Sequence, residues 1–235
     1  MFTFKQFSIE QDRCAMKVGT DGVLLGAWAG AGRDDLSPLR ILDVGTGSGL
    51  VALMMAQRFP NAFVDAVEID EEAAKQAMEN VQKSPFANRV RVTCISVQDY
   101  ASDYCYDVIV SNPPYFCNSL KNPDNRKAQA RHSDVLPYKD LLASARRLLK
   151  EDGVMSVILP LGESLKKFSE EAVFHAFITT RQTYIRTSEK KSAKRCLIEL
   201  SRCPNGVCVK AEQSLVGDGN SRSEWYNNLT KDFYL

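Results

Sequence analysis

The chain has 235 residues with 30 basic and 29 acidic side chains, and 44% of its residues are hydrophobic and 25% charged. This composition excludes a disordered or fibrous chain, no apolar run is long enough to span a membrane, and the first residues do not form a signal peptide, so we expect a packed cytoplasmic protein without membrane contact. A net charge of +1 means that any nucleic acid must be bound through a local patch.

The first predicted element lies near the N-terminus. Residues 17–29 read as a turn followed by a short apolar helix, with Thr20 or Asp21 as the N-cap. We expect this helix to pack over the edge of a ligand-binding cleft that the rest of the chain forms.

Strands and helices then alternate from Arg40 to Ser201. Short β-branched and aromatic runs predict strands at residues 41–44, 63–69, 90–96, 106–111, 154–160, 177–185 and 196–201. Amphipathic runs between them predict helices at residues 50–58, 71–83, 138–150 and 161–175, with Asp70 as one N-cap and Gly153 just beyond one C-terminus.

The order of these elements predicts an α/β fold, in which a seven-stranded, mostly parallel sheet carries helices on both faces. Only a short basic segment separates the last two strands and leaves no room for a crossover helix, so the last strand should be antiparallel. No repeat or Pro-rich linker divides the chain. We therefore expect one domain over residues 1–235, with an N-terminal extension and cleft-covering helix (1–35), a ligand-binding core (36–203) and a tail of open role (204–235).

The cysteines show no metal-binding pattern. The 7 cysteines form no CxxC pair and no zinc-ligand spacing, so we expect buried, reduced thiols and no metal site. The residues leave the oligomeric state open, with a monomer favoured.

A glycine-rich turn, DVGTGSG at residues 43–49, leaves the first core strand and enters a helix. Glycines let the backbone approach a ligand closely, and the N–H groups at the helix start favour a polar or negative group. The G-x-G-x-G spacing differs from the G-x-G-x-x-G of nicotinamide enzymes, and Asp43 can bind a cationic amino-acid tail. Taken alone, such a segment is about as often merely a tight turn.

Two carboxylates follow the next two strands. Glu68 ends the second core strand, where it can hold both hydroxyls of a ribose, and Asp99 follows the third, where it can accept an adenine amino group. Each alone is more often a solvated carboxylate at a strand end. In this order after the glycine-rich turn, they favour a cofactor site.

The segment SNPPY at residues 111–115 ends the fourth core strand and should face the same crevice, because ligands collect beyond the carboxyl ends of parallel strands. An exocyclic amino or amide nitrogen is a poor nucleophile, since its lone pair is delocalised. The Asn112 oxygen and the Pro113 carbonyl can accept its hydrogens and localise that lone pair. Pro113 and Pro114 stiffen the turn, and Tyr115 offers a stacking face. The alternative, a Pro-rich turn capped by Asn, is disfavoured at this strand.

These motifs resemble those of class I S-adenosylmethionine-dependent methyltransferases with an Asn-Pro-Pro-Tyr motif, and more narrowly those of the tRNA(Val) adenine-N6 methyltransferase family. The narrow resemblance spans the chain and rests on residues 4–7, 16–22, 24–28, 112–116, 130–132 and 229–235. It implies a Rossmann-like fold, S-adenosylmethionine as cofactor, and methylation of N6 of the adenosine next to the anticodon. Thr46 stands where many members carry alanine, which changes none of these expectations.

The candidate site residues fall into three groups. The candidate catalytic residues are Asn112, Pro113, Pro114 and Tyr115. The candidate cofactor-binding residues are Asp43, Gly45, Thr46, Gly47, Gly49, Glu68, Ile69, Asp99 and Asn112. The candidate tRNA-binding residues, on the segment after the catalytic motif, are Lys121, Arg126, Lys127, Arg131 and His132.

A second basic cluster competes with the first as the tRNA contact. Its members are Arg186, Lys190, Lys191, Lys194 and Arg195. Such clusters are usually solvated faces, and proximity to Asn112 favours the first.

Other functions share the catalytic motif. A methyltransferase acting on guanine N2 of rRNA or on a protein glutamine uses the same geometry, but glutamine enzymes carry an N-terminal helical domain for which there is no room before Ile41. An RNA-binding module without catalysis is disfavoured by the intact Asn-Pro-Pro-Tyr motif. Apart from the resemblance, the residues do not identify the RNA.

Overall fold

The computed structural model describes residues 1–14, 16–33, 36–114, 136–203, 206–217, 219 and 221–235. The predicted stacking residue Tyr115 and the predicted basic rim at residues 121–132 lie outside the described residues. Within them, the strands are β1 (Phe2–Thr3), β2 (Ser8–Ile9), β3 (Arg40–Val44), β4 (Phe63–Glu68), β5 (Val90–Cys94), β6 (Tyr106–Ser111), β7 (Leu149–Pro160), β8 (Ile178–Ser188), β9 (Ala193–Ser201) and β10 (Val209–Val216).

The core of the described fold is an 8-stranded sheet with the order β10-β8-β9-β7-β6-β3-β4-β5. Strand β9 runs antiparallel to both of its neighbours, and the remaining neighbouring pairs are parallel. This confirms the predicted mostly parallel sheet and the antiparallel pairing of the last two predicted strands. The carboxyl ends of β3, β4 and β6 therefore meet at one edge of the sheet.

Helices cover both faces of the sheet, as predicted. They are α1 (Thr20–Trp28), α2 (Leu50–Arg58), α3 (Glu71–Gln82), α4 (Tyr138–Leu148), α5 (Glu163–Phe174) and α6 (Glu224–Thr230). Because strand side chains alternate between faces, Ile41 packs in the apolar cluster of α1 and α2, whereas Leu42 packs in that of α4 and α5. No helix among the described residues is both long and apolar enough to cross a bilayer.

The tail contributes an eighth strand that the sequence did not predict. Strand β10 pairs in parallel with β8 and extends the edge of the sheet, with Val209 opposite Arg181. Its residues are half-buried or exposed, so they lack the apolar run that identifies a central strand. The prediction of seven strands is therefore short by this edge strand.

Two predicted helix boundaries are wrong. The N-cap of α1 is Gly19, which has no side chain to cap the helix, and the Asp21 carboxylate accepts a bond from Arg195 Nε at 2.8 Å. Helix α4 ends at Leu148, and Gly153 lies inside β7 rather than beyond the helix. A Cβ at Gly153 would lie 2.8 Å from the Leu149 side chain and 3.0 Å from the Tyr106 oxygen, so this position requires glycine for space.

The two ends of the chain pack against each other. The backbone N–H of Lys5 donates to the Phe233 oxygen at 2.8 Å, and the Phe4 ring stacks on Phe7 and on Tyr234, with centroids 4.8 and 5.9 Å away. The N-terminal FKQF and C-terminal LTKDFYL segments thus form one aromatic contact.

The prediction of buried thiols holds for only part of the cysteine set. Cys14 and Cys196 are buried free thiols, but Cys94, Cys105 and Cys203 are exposed. Each exposed cysteine lies at a strand boundary, where the chain leaves the covered part of the sheet.

Candidate active site

The glycine-rich turn connects β3 to α2 and is held by Asp43. Asp43 Oδ2 accepts hydrogen bonds from Thr46 Oγ1 at 2.6 Å and from the Ala52 backbone N–H at 3.0 Å. Ala52 lies in the first turn of α2, so this carboxylate satisfies one of the donors that a helix start leaves unpaired. Burial raises the pKa of Asp43 to about 7, against the opposing effect of these two hydrogen bonds. A cation placed beside this carboxyl would favour its charged form.

The backbone of the turn is shaped for close approach by a ligand. Gly45 and Gly47 have φ angles of 71° and 57°, and a Cβ at either position would meet no atom within 4 Å. The N–H groups of Gly45 and Thr46 both donate to the Val67 oxygen, at 2.9 and 3.1 Å, which ties the turn to the end of β4. Gly49 is the left-handed N-cap of α2. The open space beside Gly45 and Gly47 fits a cofactor lying against the turn.

Glu68, at the end of β4, already organises the backbone around it. Its Oε2 accepts from the Gly47 N–H at 2.8 Å, and its Oε1 accepts from the N–H groups of Ile69 at 2.9 Å and Asp70 at 3.1 Å. A carboxylate has roughly four acceptor positions, so about one remains in this arrangement. A two-hydroxyl ribose contact therefore requires one of these backbone donors to give way.

Ile69 and Asp99 lie on the surface beside Glu68. Ile69 is 56% exposed, which is unusual for a large apolar side chain at a strand end. Asp99 is exposed on the turn after β5, where its Oδ2 accepts from Ser96 Oγ at 2.6 Å. The Ile95 backbone N–H donates to the backbone carbonyl oxygen of Glu68 at 2.9 Å, which places this turn next to the end of β4.

Asn112 follows β6 directly, at the sheet edge where β3 also ends. Ser111 Oγ donates to the Val44 oxygen at 2.9 Å and fixes the two strand ends to each other. Asn112 is half-buried, Pro113 is buried and Pro114 is exposed.

A cavity of about 540 Å³ opens at this edge of the sheet and joins part of the predicted site. Its walls include Asp43, the turn residues Gly45, Thr46 and Gly47, and Asn112. Glu68 contacts the wall residue Gly47 without lining the cavity itself. Ile69, Asp99, Gly49, Pro113 and Pro114 do not line it either. Residues 16–22, around the start of α1, form another wall.

The sequence indicated only part of the remaining wall, because Lys194 and Arg195 belong to the second basic cluster while Ile185, Thr187 and Leu215 were not foreseen. This wall consists of Ile185 and Thr187 on β8, Lys194 and Arg195 on β9, and Leu215 on β10. Because β9 is antiparallel, its first residues lie at the edge where the parallel strands end. The predicted hairpin contained the signal for this placement, since its connecting turn must return to that edge.

No cluster of three or more potential metal-binding side chains occurs among the described residues. The polar groups of the cavity are carboxylate, amide, hydroxyl, ammonium and guanidinium groups, with backbone N–H groups of the turn. This set suits an organic ligand that carries both polar and charged groups.

Comparisons with known proteins agree with this arrangement. Residues 34–183 match the family model of the methyltransferase small domain. A predicted O-methyltransferase from Agrobacterium tumefaciens has the same fold, with a TM-score of 0.70, 19% identity, and coverage of 91% of this chain and 96% of that one. A glycopeptide N-methyltransferase complexed with S-adenosyl-L-methionine matches with a TM-score of 0.59 and 12% identity over 80% of this chain and 100% of its own. The fold and the site thus define a class I methyltransferase.

A full-length relative identifies the family. The tRNA1(Val) (adenine(37)-N6)-methyltransferase of Parabacteroides distasonis is 45% identical over 236 residues, which cover 100% of this chain and 97% of the relative. The chain belongs to the tRNA1(Val) (adenine(37)-N6)-methyltransferase family.

Proposed function

We propose that this protein transfers a methyl group from S-adenosylmethionine to the exocyclic N6 of adenine 37 in tRNA1(Val), the reaction for which its full-length relatives are named. The observation that carries the proposal is the placement of Asn112 and the glycine-rich turn in the walls of one cavity. A cofactor on the turn and an amino group beside Asn112 would therefore share the same space.

The cofactor is held by the residues around the turn. The amino-acid end, which is cationic at its amino group, would be held by the Asp43 carboxyl, and the backbone of Gly45 and Gly47 allows close approach. Glu68 would hold the ribose once one of its backbone donors gives way, and Ile69 and Asp99 would hold the adenine. When bound, S-adenosylmethionine supplies an electrophilic methyl group on a positively charged sulfur.

Asn112 and Pro113 prepare the target nitrogen. The Asn112 side-chain oxygen and the Pro113 carbonyl accept the two amino hydrogens of adenine, which localises the nitrogen lone pair. Both acceptors follow a buried strand and are held by the Ser111 contact to Val44, so little reorganisation is needed. The proton that N6 loses passes to water, and no side chain acts as a general base.

The substrate contacts after the catalytic motif complete the proposal. Tyr115 provides the stacking face for the target base, and Pro114 stiffens the turn before it. The tRNA phosphates are contacted by a basic rim that consists of Lys121, Arg126, Lys127, Arg131 and His132.

The whole chain serves this one site as a single domain in the cytoplasm, where tRNA is modified. The tail adds β10 to the same sheet and closes on the N-terminal segment. These contacts support treating residues 1–35, 36–203 and 204–235 as parts of one unit.

Methylation of defined transcripts tests the proposed function. Purified protein is incubated with S-adenosylmethionine and unmodified tRNA1(Val), and the digested RNA is analysed for N6-methyladenosine by mass spectrometry. A matched transcript with guanine at position 37 is the control. We expect N6-methyladenosine in the first transcript alone. Methylation of both, or methylation at another atom, would refute the assignment.

A further inference from the structure

The hairpin between β8 and β9 reaches the mouth of the cavity. Arg195 pairs with Pro160 on β7, three positions past Val157, which pairs with Ser111 on β6. The start of β9 therefore lies level with the chain just beyond Ser111, two strand spacings or about 10 Å to the side. Lys194 and Asn112 accordingly line the same cavity from different strands.

The two arginines of this hairpin nearest the cavity mouth have carboxylate partners. Arg195 Nε donates to Asp21 Oδ2 at 2.8 Å, which ties β9 to α1 across the cavity. Arg186 pairs with Glu212 of β10 at 2.5 Å. These arginines hold the walls together, and their charges are largely compensated.

The lysines around the same mouth have no carboxylate partner among the residues that the structure describes. Lys17 and Lys194 are exposed and line the cavity, and Lys190 and Lys191 lie at the tip of the hairpin. None of the four takes part in an ion pair within the described part of the chain. Uncompensated ammonium groups on two sides of one opening attract a polyanion.

The cavity wall beneath these lysines carries two large apolar side chains beside Thr187. Ile185 and Leu215 line it on the β8 and β10 side, away from the glycine-rich turn. This half of the cavity thus combines an apolar floor with a cationic rim, which is the combination that a nucleotide base and its phosphates require.

We propose that Lys17 and Lys194 bind phosphates of the tRNA strand on either side of the target nucleotide, and that Lys190 and Lys191 extend this contact along the hairpin. The inference rests on the proposed function and adds a second phosphate-binding surface to the one after the catalytic motif. The two lysines on opposite walls would hold the strand across the cavity mouth while the base enters.

Salt titration of tRNA binding tests this surface. We compare wild type with a Lys17→Gln and Lys194→Gln double variant and with Lys210→Gln, which removes an exposed lysine near the start of β10, at the other end of that strand from Leu215. Two lost phosphate contacts should reduce the slope of log affinity against log salt by about 1.4. When the salt concentration is raised approximately fourfold, the ratio of wild-type to double-variant affinity should therefore fall about sevenfold. Lys210→Gln should retain the wild-type slope.

The outcomes separate this inference from the proposed function. A double variant with the wild-type slope and tRNA affinity, while wild type still methylates tRNA1(Val), would overturn the inference alone. Weaker binding of S-adenosylmethionine with unchanged tRNA binding would also overturn it, since the lysines would then face the cofactor. Failure of wild type to methylate the transcript would refute the proposed function instead.

Discussion

Asp43 makes the ligand-free protein less stable as the pH rises, whereas a carboxyl with a lowered pKa has the opposite effect. Its carboxyl is buried at the start of α2, and burial raises its pKa from 3.8 to about 7. Between these values the native carboxyl keeps a proton that the unfolded chain releases. The contribution of Asp43 to stability is therefore fully present below pH 3.8 and is lost as the pH rises to about 7.

The size of this effect follows from the shift. A displacement of roughly three pKa units corresponds to about 4 kcal/mol over the whole range, and about 2 kcal/mol of it falls between pH 5.5 and 8. In Asp43→Asn the amide oxygen can still accept from Thr46 and Ala52, but no charge forms. The free energy of unfolding of the variant should therefore not fall by this amount as the pH rises.

Urea unfolding without cofactor at pH 5.5 and pH 8 measures the difference. We expect wild type to lose about 2 kcal/mol more than Asp43→Asn between the two conditions. Asp103→Asn, which removes an exposed carboxylate, should behave like wild type. If Asp43→Asn showed the wild-type pH dependence, the buried carboxyl would not hold a proton and the reasoning would be refuted.

Three further predictions concern the ligands. Glu68→Ala should weaken S-adenosylmethionine binding by roughly 1.5–3 kcal/mol in calorimetry, because the ribose acceptor and the Gly47 anchor are both lost, whereas exposed Glu72→Ala should not. Unchanged affinity in the first variant would contradict the assignment. A chelator should leave methyl transfer intact, and loss of activity with cofactor binding preserved would reveal a metal site. Tyr115→Ala should weaken productive tRNA binding by roughly 1–3 kcal/mol while Tyr115→Phe is mild, and equal effects of the two would argue against stacking.

Local patterns were sufficient to predict the core of the fold. The strand-to-helix alternation and the glycine-rich turn depend on residues near one another in the chain, and α2 and β6 have the predicted bounds. The antiparallel β9 followed from the short length of its connection to β8. In each case the determining interactions are local.

The features that were missed depend on distant contacts. Strand β10 is an edge strand of mixed polarity whose partner, β8, is defined only in the folded sheet. Gly153 does not end a helix, and its lack of a side chain leaves space for Leu149 and the Tyr106 oxygen. Asp21 does not cap α1, and its carboxylate binds Arg195, far along the chain.

The sequence indicated only some of the residues that line the candidate site. Asp43 lies near the end of β3, and Gly45, Gly47 and Asn112 follow strands whose ends meet at the same sheet edge, so topology alone brings them together. The contribution of β8–β10 to the cavity requires the sheet order as well. The three backbone bonds to Glu68 were also not foreseen, because a motif indicates a carboxylate but not what it already accepts.

The proposed role of Asn112 is to orient the adenine amino group for methyl transfer. The most direct measurement is the single-turnover rate of N6-methyladenosine formation in tRNA1(Val) by wild type and Asn112→Ala, with tRNA and S-adenosylmethionine affinities measured in parallel. Loss of one preorganised contact should lower the single-turnover rate by a factor on the order of 10²–10³ or more, while tRNA affinity changes little. A variant that forms N6-methyladenosine at nearly the wild-type rate would contradict the account.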